Sequence, residues 1–131
     1  MILLDTHAWV WWLSAPESLP EPSRLAIDEA RRHSRLLVSS ISVWEVALLV
    51  SKGRLQLTLP VEDWISKAEA LSFLKFVPVD NAIALRSVHL PGSLHPDPAD
   101  RIIVATAMDR RVALVTKDER LRAYPHVKTI W

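Results

Sequence analysis

Ile2-Leu3-Leu4-Asp5-Thr6 opens the chain with three consecutive apolar residues, then an acid and a hydroxyl. The apolar run reads as a short buried strand, and the polar pair marks where the chain leaves the sheet. With Thr6 as N-cap, the spacing predicts a helix to about Leu13 that carries Trp9, Trp12 and Leu13 on one face. The same alternation continues outward. Prolines 16, 20 and 22 punctuate a loop before a helical pattern over Ser23 to His33, and Leu36 to Val38 is a second strand. Ser42 is the expected N-cap of a helix to Val50, closed by Lys52 and Gly53. A further amphipathic helix over Val61 to Leu71, a strand over Phe76 to Val79 and a helix capped by Asp80 follow. Leu90 to Pro98 is a proline-broken loop. Asp97 as N-cap and Pro98 at the first helical position then start a helix to about Arg110. Strands at Ala113 to Val115 and Lys128 to Ile130 finish the sheet. Strands alternating with short helices predict right-handed crossovers in one α/β domain over residues 1–131, with a central parallel sheet and helices on both faces.

Half of the 131 residues are hydrophobic, which suffices to bury roughly two thirds of the unfolded surface in one core. Sixteen basic and fifteen acidic side chains leave a formal charge of +1, so any contact with nucleic acid has to be local. The absence of cysteine removes disulfides, thiol catalysis and thiolate metal sites together. The apolar runs are too short to span a bilayer and the N-terminal stretch lacks signal-peptide features, so a cytoplasmic protein is expected. With only Gly53 and Gly92, no phosphate-cradling glycine loop or dinucleotide fingerprint exists. A nucleophile elbow and a His-Glu-x-x-His zinc motif are also missing.

What remains is a set of acids. Asp5 follows the first strand, Asp118 follows the strand Ala113 to Val115, and Glu45 and Asp100 lie near the starts of apolar helices. In open α/β sheets, ligands collect outside the carboxyl ends of the strands, where strand order reverses. Each acid also has a capping explanation. Ser42-Val43-Trp44-Glu45 fits a capping box, Asp97 to Asp100 spans a first helical turn, and Asp118 suits a terminal turn. Asp5 has no such partner within its own segment. Like charges about 5 Å apart at an effective dielectric near 20 repel by roughly 3 kcal/mol per pair, so a cluster of this kind requires cations or raised pKa values. All-oxygen ligands suit Mg²⁺ or Mn²⁺, which combine a few carboxylates with water and substrate phosphate oxygens. Phosphodiester hydrolysis follows from that chemistry.

Supporting roles fall to neighbours. Arg101 and Lys117 flank acids and are candidates for holding a phosphate. Thr6, Ser42 and Thr116 either hold water near the ion or cap helices, and Asp97 is a secondary candidate ligand beside its capping role. His7 and His95 are expected as supporting or surface groups. Among six tryptophans, Trp9, Trp12, Trp44 and Trp64 read as core, whereas Trp11 points away from the Trp9 and Trp12 face.

Leu3-Leu4-Asp5-Thr6-His7, Ser42-Val43-Trp44-Glu45, His95-Pro96-Asp97-Pro98-Ala99-Asp100-Arg101 and Leu114-Val115-Thr116-Lys117-Asp118, in this order, resemble a PIN-domain ribonuclease of the VapC toxin type. The resemblance implies a PIN-like three-layer α/β/α sandwich, Mg²⁺ or Mn²⁺ as cofactor, and endonucleolytic cleavage of RNA. The family's acidic positions fall on Asp5, Glu45, Asp100 and Asp118, with Asp97 at an often acidic position and Thr6 and Thr116 at polar supporting ones. Ala99 departs from the bulky residue that often stands there. Such toxins form homodimers and are silenced by a cognate antitoxin, and single-stranded or loop RNA such as that of tRNA is the expected substrate. Two rivals remain. A phosphoacceptor domain normally carries paired acids after its first strand, which are missing here. A non-catalytic PIN-like module that binds RNA or protein would not need all four acids.

Overall fold

Strand β1 (Ile2–Leu4) lies at the centre of a five-stranded sheet, as a run buried on both faces requires. It pairs in parallel with β2 (Leu36–Ser39) on one side and β4 (Ala113–Val115) on the other, so that Leu3 stands opposite both Leu37 and Leu114. Strand β3 (Leu74–Val77) extends the sheet beyond β2, and β5 (Thr129–Ile130) extends it beyond β4. The computed structural model describes residues 1–131. Its strand order, β3-β2-β1-β4-β5, runs outward from β1 in one direction and then restarts in the other. The switch point therefore lies between β1 and β4, where the amide of Asp5 donates to the Val115 carbonyl at 3.0 Å.

Seven helices cover the sheet: α1 (Thr6–Ser14), α2 (Glu21–Arg32), α3 (Ser40–Ser51), α4 (Val61–Glu69), α5 (Asn81–Val88), α6 (Pro98–Arg110) and α7 (Glu119–Ala123). Strand alternation sorts them into two layers. Ile2, Leu4, Leu36 and Val38 face a core that contains Trp9 of α1, Ile27 of α2, Val46 of α3 and Trp64 of α4. Leu3, Leu37, Val77 and Leu114 face the other way, onto Ile83 of α5, Ile103 and Val104 of α6 and Leu121 of α7. The expected α/β/α sandwich around a parallel sheet is the observed architecture. Trp9 anchors the first layer, 4.8 Å between ring centroids from Trp64 and edge-on to Phe76 at 5.5 Å. Burying a ring of that size is worth about 4–6 kcal/mol before ordering costs.

Several boundaries move. The N-cap of α1 is Asp5, whose carboxylate accepts from the Ala8 amide at 2.8 Å, and not Thr6. Helix α3 starts two residues before Ser42, with Ser39 as its cap, so Ser42 lies inside it. Two residues along α3, Trp44 points about 200° of helix rotation away from buried Val46. Trp44 is 54% exposed rather than core. Strand β3 begins at Leu74 and stops at Val77, because Pro78 has no amide to give the ladder. The terminal turn expected after Asp118 is a formed helix, α7.

Candidate active site

A cleft of about 450 Å³ opens at the carboxyl ends of β1 and β4. Asp5, Glu45, Asp97, Asp100 and Asp118 all line it, together with Thr6, His7, Trp11, Lys117 and Arg120. The acids arrive from four places in the fold. Asp5 leaves β1, Glu45 projects from the second turn of α3, Asp97 and Asp100 begin α6, and Asp118 precedes α7. The switch-point placement expected from the sequence thus brings together all four primary acids and Asp97.

Capping and facing the cleft are compatible. Asp5 caps α1; one oxygen of Asp97 accepts from the Asp100 amide at 2.9 Å; one oxygen of Asp118 accepts from the Arg120 and Leu121 amides at 2.8 and 3.2 Å. In each case the bonds to backbone amides use a single carboxylate oxygen. Glu45 caps nothing, because α3 starts too early for a capping box. Its carboxylate instead receives the Thr6 hydroxyl, which lies 2.9 Å from Ser42 Oγ. Thr6 and Ser42 therefore act as a polar buttress between α1 and α3. Thr116 accepts from the Asp118 amide at 3.1 Å and fixes the turn out of β4.

Burial of these acids has an electrostatic cost. Asp5 is 7% exposed, and burial pushes its carboxyl up from 3.8 to about 6, against hydrogen bonding from Thr116 and the Ala8 amide. Burial also raises Glu45 and Asp100, which the Thr6 and His95 hydrogen bonds respectively oppose; repulsion from Asp97 adds to both. At Asp118 burial works upward too, but hydrogen bonds from the Arg120 side chain and the Leu121 and Arg120 amides outweigh it and hold the carboxyl below its usual range. The site therefore gathers more negative charge than its own cations offset.

Arg120 was not legible as a site residue. Its guanidinium lies 3.1 Å from Asp118 and 3.8 Å from Asp100, bridging two acids at the cleft mouth while remaining 62% exposed. The signal that places it there is α7, whose first turn turns position 120 back over the cleft. Arg101 goes elsewhere. Its Nε donates to the Ser87 carbonyl at 2.8 Å and its Nη1 to the Leu94 carbonyl at 2.9 Å, so it fastens the loop between α5 and α6 and does not line the cleft. One residue along a helix is a rotation of about 100°, enough to separate it from Asp100. Lys117 does line the cleft. His95 supports Asp100 through a 2.7 Å contact from Nε2.

Carboxylate and hydroxyl oxygens make this a hard donor set. No three of the acids close into a tight ligand cluster. Their spread around an open cleft fits an ion that retains water and accepts outside oxygens better than one held in an all-protein cage.

A three-layer α/β/α protein with carboxylates gathered at the switch point is thus defined by fold and site together. The sequence pattern of the PIN domain matches residues 2–127. Ribonuclease VapC22 of Mycobacterium tuberculosis (strain ATCC 25618 / H37Rv) is 38% identical over 132 residues, which cover 99% of this chain and 98% of that protein. The chain belongs to the PIN-domain family, as a protein of the VapC type. The fold is shared with solved structures at lower identity. FitAcB from Neisseria gonorrhoeae superposes with a TM-score of 0.70 at 22% identity, covering 98% of this chain and 96% of that one. DNA-bound VapBC from Salmonella typhimurium gives a TM-score of 0.70 at 21% identity, with 98% and 95% covered. No helix is long and apolar enough to cross a membrane.

Proposed function

We propose that this protein is a divalent-metal-dependent endoribonuclease, the toxin of a toxin-antitoxin pair, acting in the cytoplasm as one PIN domain over residues 1–131. The observation that carries the reading is the convergence of Asp5, Glu45, Asp100 and Asp118 on one cleft in which three of the four acids are driven toward protonation by burial. Membership of the VapC type and 38% identity to a ribonuclease support it. These four acids, with Asp97 as an auxiliary, would hold Mg²⁺ or Mn²⁺. The bound cation supplies charge neutralisation at the phosphate and lowers the pKa of water for attack on phosphorus.

The chain's own residues do the rest. Asp5, fixed by its cap bond and by Thr116, sets the floor of the cleft. Thr6 orients the Glu45 carboxylate and His95 orients that of Asp100, so neither swings freely. Arg120 pairs with Asp118 and lies beside Asp100 in the resting protein, and is positioned to exchange them for a phosphodiester oxygen. Lys117 offers a second, more mobile cation to the backbone. Unpaired RNA is the substrate that suits these contacts, because a flexible backbone reaches in-line geometry more readily than a duplex. A cognate antitoxin would silence the protein by covering the same cleft, and a second copy of the chain completes the expected assembly.

The test is cleavage of total RNA and of defined tRNAs by antitoxin-free protein in Mg²⁺ or Mn²⁺, beside EDTA and Asp100→Asn controls. Discrete fragments from the wild type alone, and only with metal, are expected. Equal cutting by both proteins, or cutting that survives EDTA, would overturn the proposal. A folded wild type that binds RNA without cutting it would favour a non-catalytic module.

A further inference from the structure

Beside the acids, the cleft has one aromatic wall. Position 7 and position 11 lie one helical turn apart on α1, so His7 and Trp11 share the face turned to the cleft while Trp9 is driven into the core. The Trp11 ring lies 5.8 Å between centroids from His7 and 5.8 Å from Trp131. From the far side, the link between β4 and α7 carries Lys117, whose Nζ stands 5.5 Å from the centre of the same ring. Only Trp11 and Ile103 are apolar among the residues lining the cleft, and Ile103 is 1% exposed. Trp11 is thus the one apolar surface the cleft offers to a ligand.

We propose that Trp11, flanked by His7, Lys117 and Trp131, is a nucleobase-stacking platform that seats one unpaired base of the RNA next to the acidic cleft. The inference rests on the ribonuclease reading and deepens it by naming what holds the substrate beside the reacting phosphate. A single ring with a cation above it suits a base, whose flat face needs one stacking partner and whose adjoining phosphate needs one positive charge. An apolar peptide side chain would need a surrounding apolar pocket, and apart from Trp11 and the buried Ile103 the residues lining the cleft are charged or polar. In the free protein Lys117 covers the ring. On binding, the base takes that place and the ammonium moves to the neighbouring phosphate. Stacking tolerates every base, so this platform sets where the strand lies, and groups elsewhere read its sequence.

Trp11 also packs at the margin of the first core, so Trp11→Phe, which keeps a ring, accompanies Trp11→Ala. Both are combined with Asp100→Asn to allow binding to be measured without cutting. The probe is a single-stranded RNA oligonucleotide cut by the wild type or, failing cleavage, one bound by it, with one abasic nucleotide moved along its length. Trp11→Ala is expected to weaken binding by about 5- to 150-fold, the range for loss of one stacked base. Trp11→Phe should recover most of it. With the abasic nucleotide at the seated position, wild-type and Trp11→Ala affinities should converge, a coupling that damage to packing would not produce. In the cleaving background the loss should appear in KM more than in kcat. Folded Trp11→Ala protein that binds RNA as tightly as its parent, or a loss equal at every abasic position, overturns the platform even if the wild type cleaves RNA. A Trp11-dependent, position-specific loss in a protein that never cleaves would sustain the platform and overturn the nuclease reading instead. Weakened antitoxin binding with unchanged RNA binding would make Trp11 a protein contact and overturn the proposal.

Discussion

Asp5 carries two duties through one side chain, and they oppose each other in the metal-free protein. As a cap it stabilises α1; as a buried carboxylate it destabilises the fold. Below pH 3.8 both folded and unfolded states hold the proton and the group contributes nothing. As pH rises from 3.8 toward about 6 the unfolded chain ionises first, so folding takes up a proton and stability falls. Above about 6 the penalty is complete, at about 3 kcal/mol for that gap. Asparagine caps as well as aspartate but carries no charge. In urea denaturation with EDTA, Asp5→Asn should therefore be more stable than wild type by about 2–3 kcal/mol at pH 7.5 and by less than about 1 kcal/mol at pH 4. The same substitution should abolish RNA cleavage. An equal gain at both pH values would show that the charge of Asp5 is not the cause.

The other residue-scale prediction concerns Arg120. If it exchanges its acids for the phosphate, Arg120→Gln should reduce kcat/KM for RNA by about 10- to 150-fold, in line with loss of one charge-assisted contact of about 1.5–3 kcal/mol. Steady-state cleavage kinetics check this, and an unchanged kcat/KM would confine Arg120 to balancing charge. Asp5, Asp100 and Asp118 were legible in the sequence because each stands at a strand end or a helix start, positions that any parallel α/β sheet brings to one edge, and Glu45 follows within two turns of the start of α3. Arg120 was not, since its place depends on α7, a five-residue helix with too little periodicity to read. Arg101 misled for a related reason: adjacency to Asp100 along the chain is not adjacency on a helix.

At the scale of elements, α6 was readable from Asp97 to Arg110 because proline at the first position and an aspartate cap leave little freedom for its start. Strand β1 was equally plain. Helix α3 was not, because three serines at 39, 40 and 42 offer competing caps and only the end of β2 decides for Ser39. Between α5 and α6 the chain makes few regular bonds, and Arg101 supplies the fastening, through the carbonyls of Ser87 and Leu94. That loop also presents His95 to Asp100. Arg101→Ala should cost about 2–4 kcal/mol in stability by leaving carbonyls without donors, with faster amide exchange over residues 88–95 and weaker cleavage through loss of the His95 contact. Exchange unchanged in that loop would remove Arg101 from this role.

For the whole molecule, a formal charge of +1 and an acid-lined cleft set how RNA can be held. Two cations, Lys117 and Arg120, face the cleft among the acids. Two phosphate contacts on a single strand give a dependence of log affinity on log salt of about −1.4. A slope steeper than about −4 would reveal an extended basic surface that this cleft does not account for. On the proposed reading, the bulk of the holding falls to a cation shared between the acids and the phosphate, and to Trp11.

The cation proposed for this cleft is where residue, element and molecule meet, and its binding is measured by titrating Mn²⁺ into the metal-free protein and following its paramagnetic resonance signal. Wild type should bind Mn²⁺, and Asp5→Asn, Glu45→Gln, Asp100→Asn and Asp118→Asn should each weaken binding at least about 10-fold, the effect of losing about 1.4 kcal/mol of ligation. Unaltered Mn²⁺ binding in folded Asp5→Asn and Asp118→Asn proteins, from the two strands that flank the switch point, would contradict a metal site in the cleft.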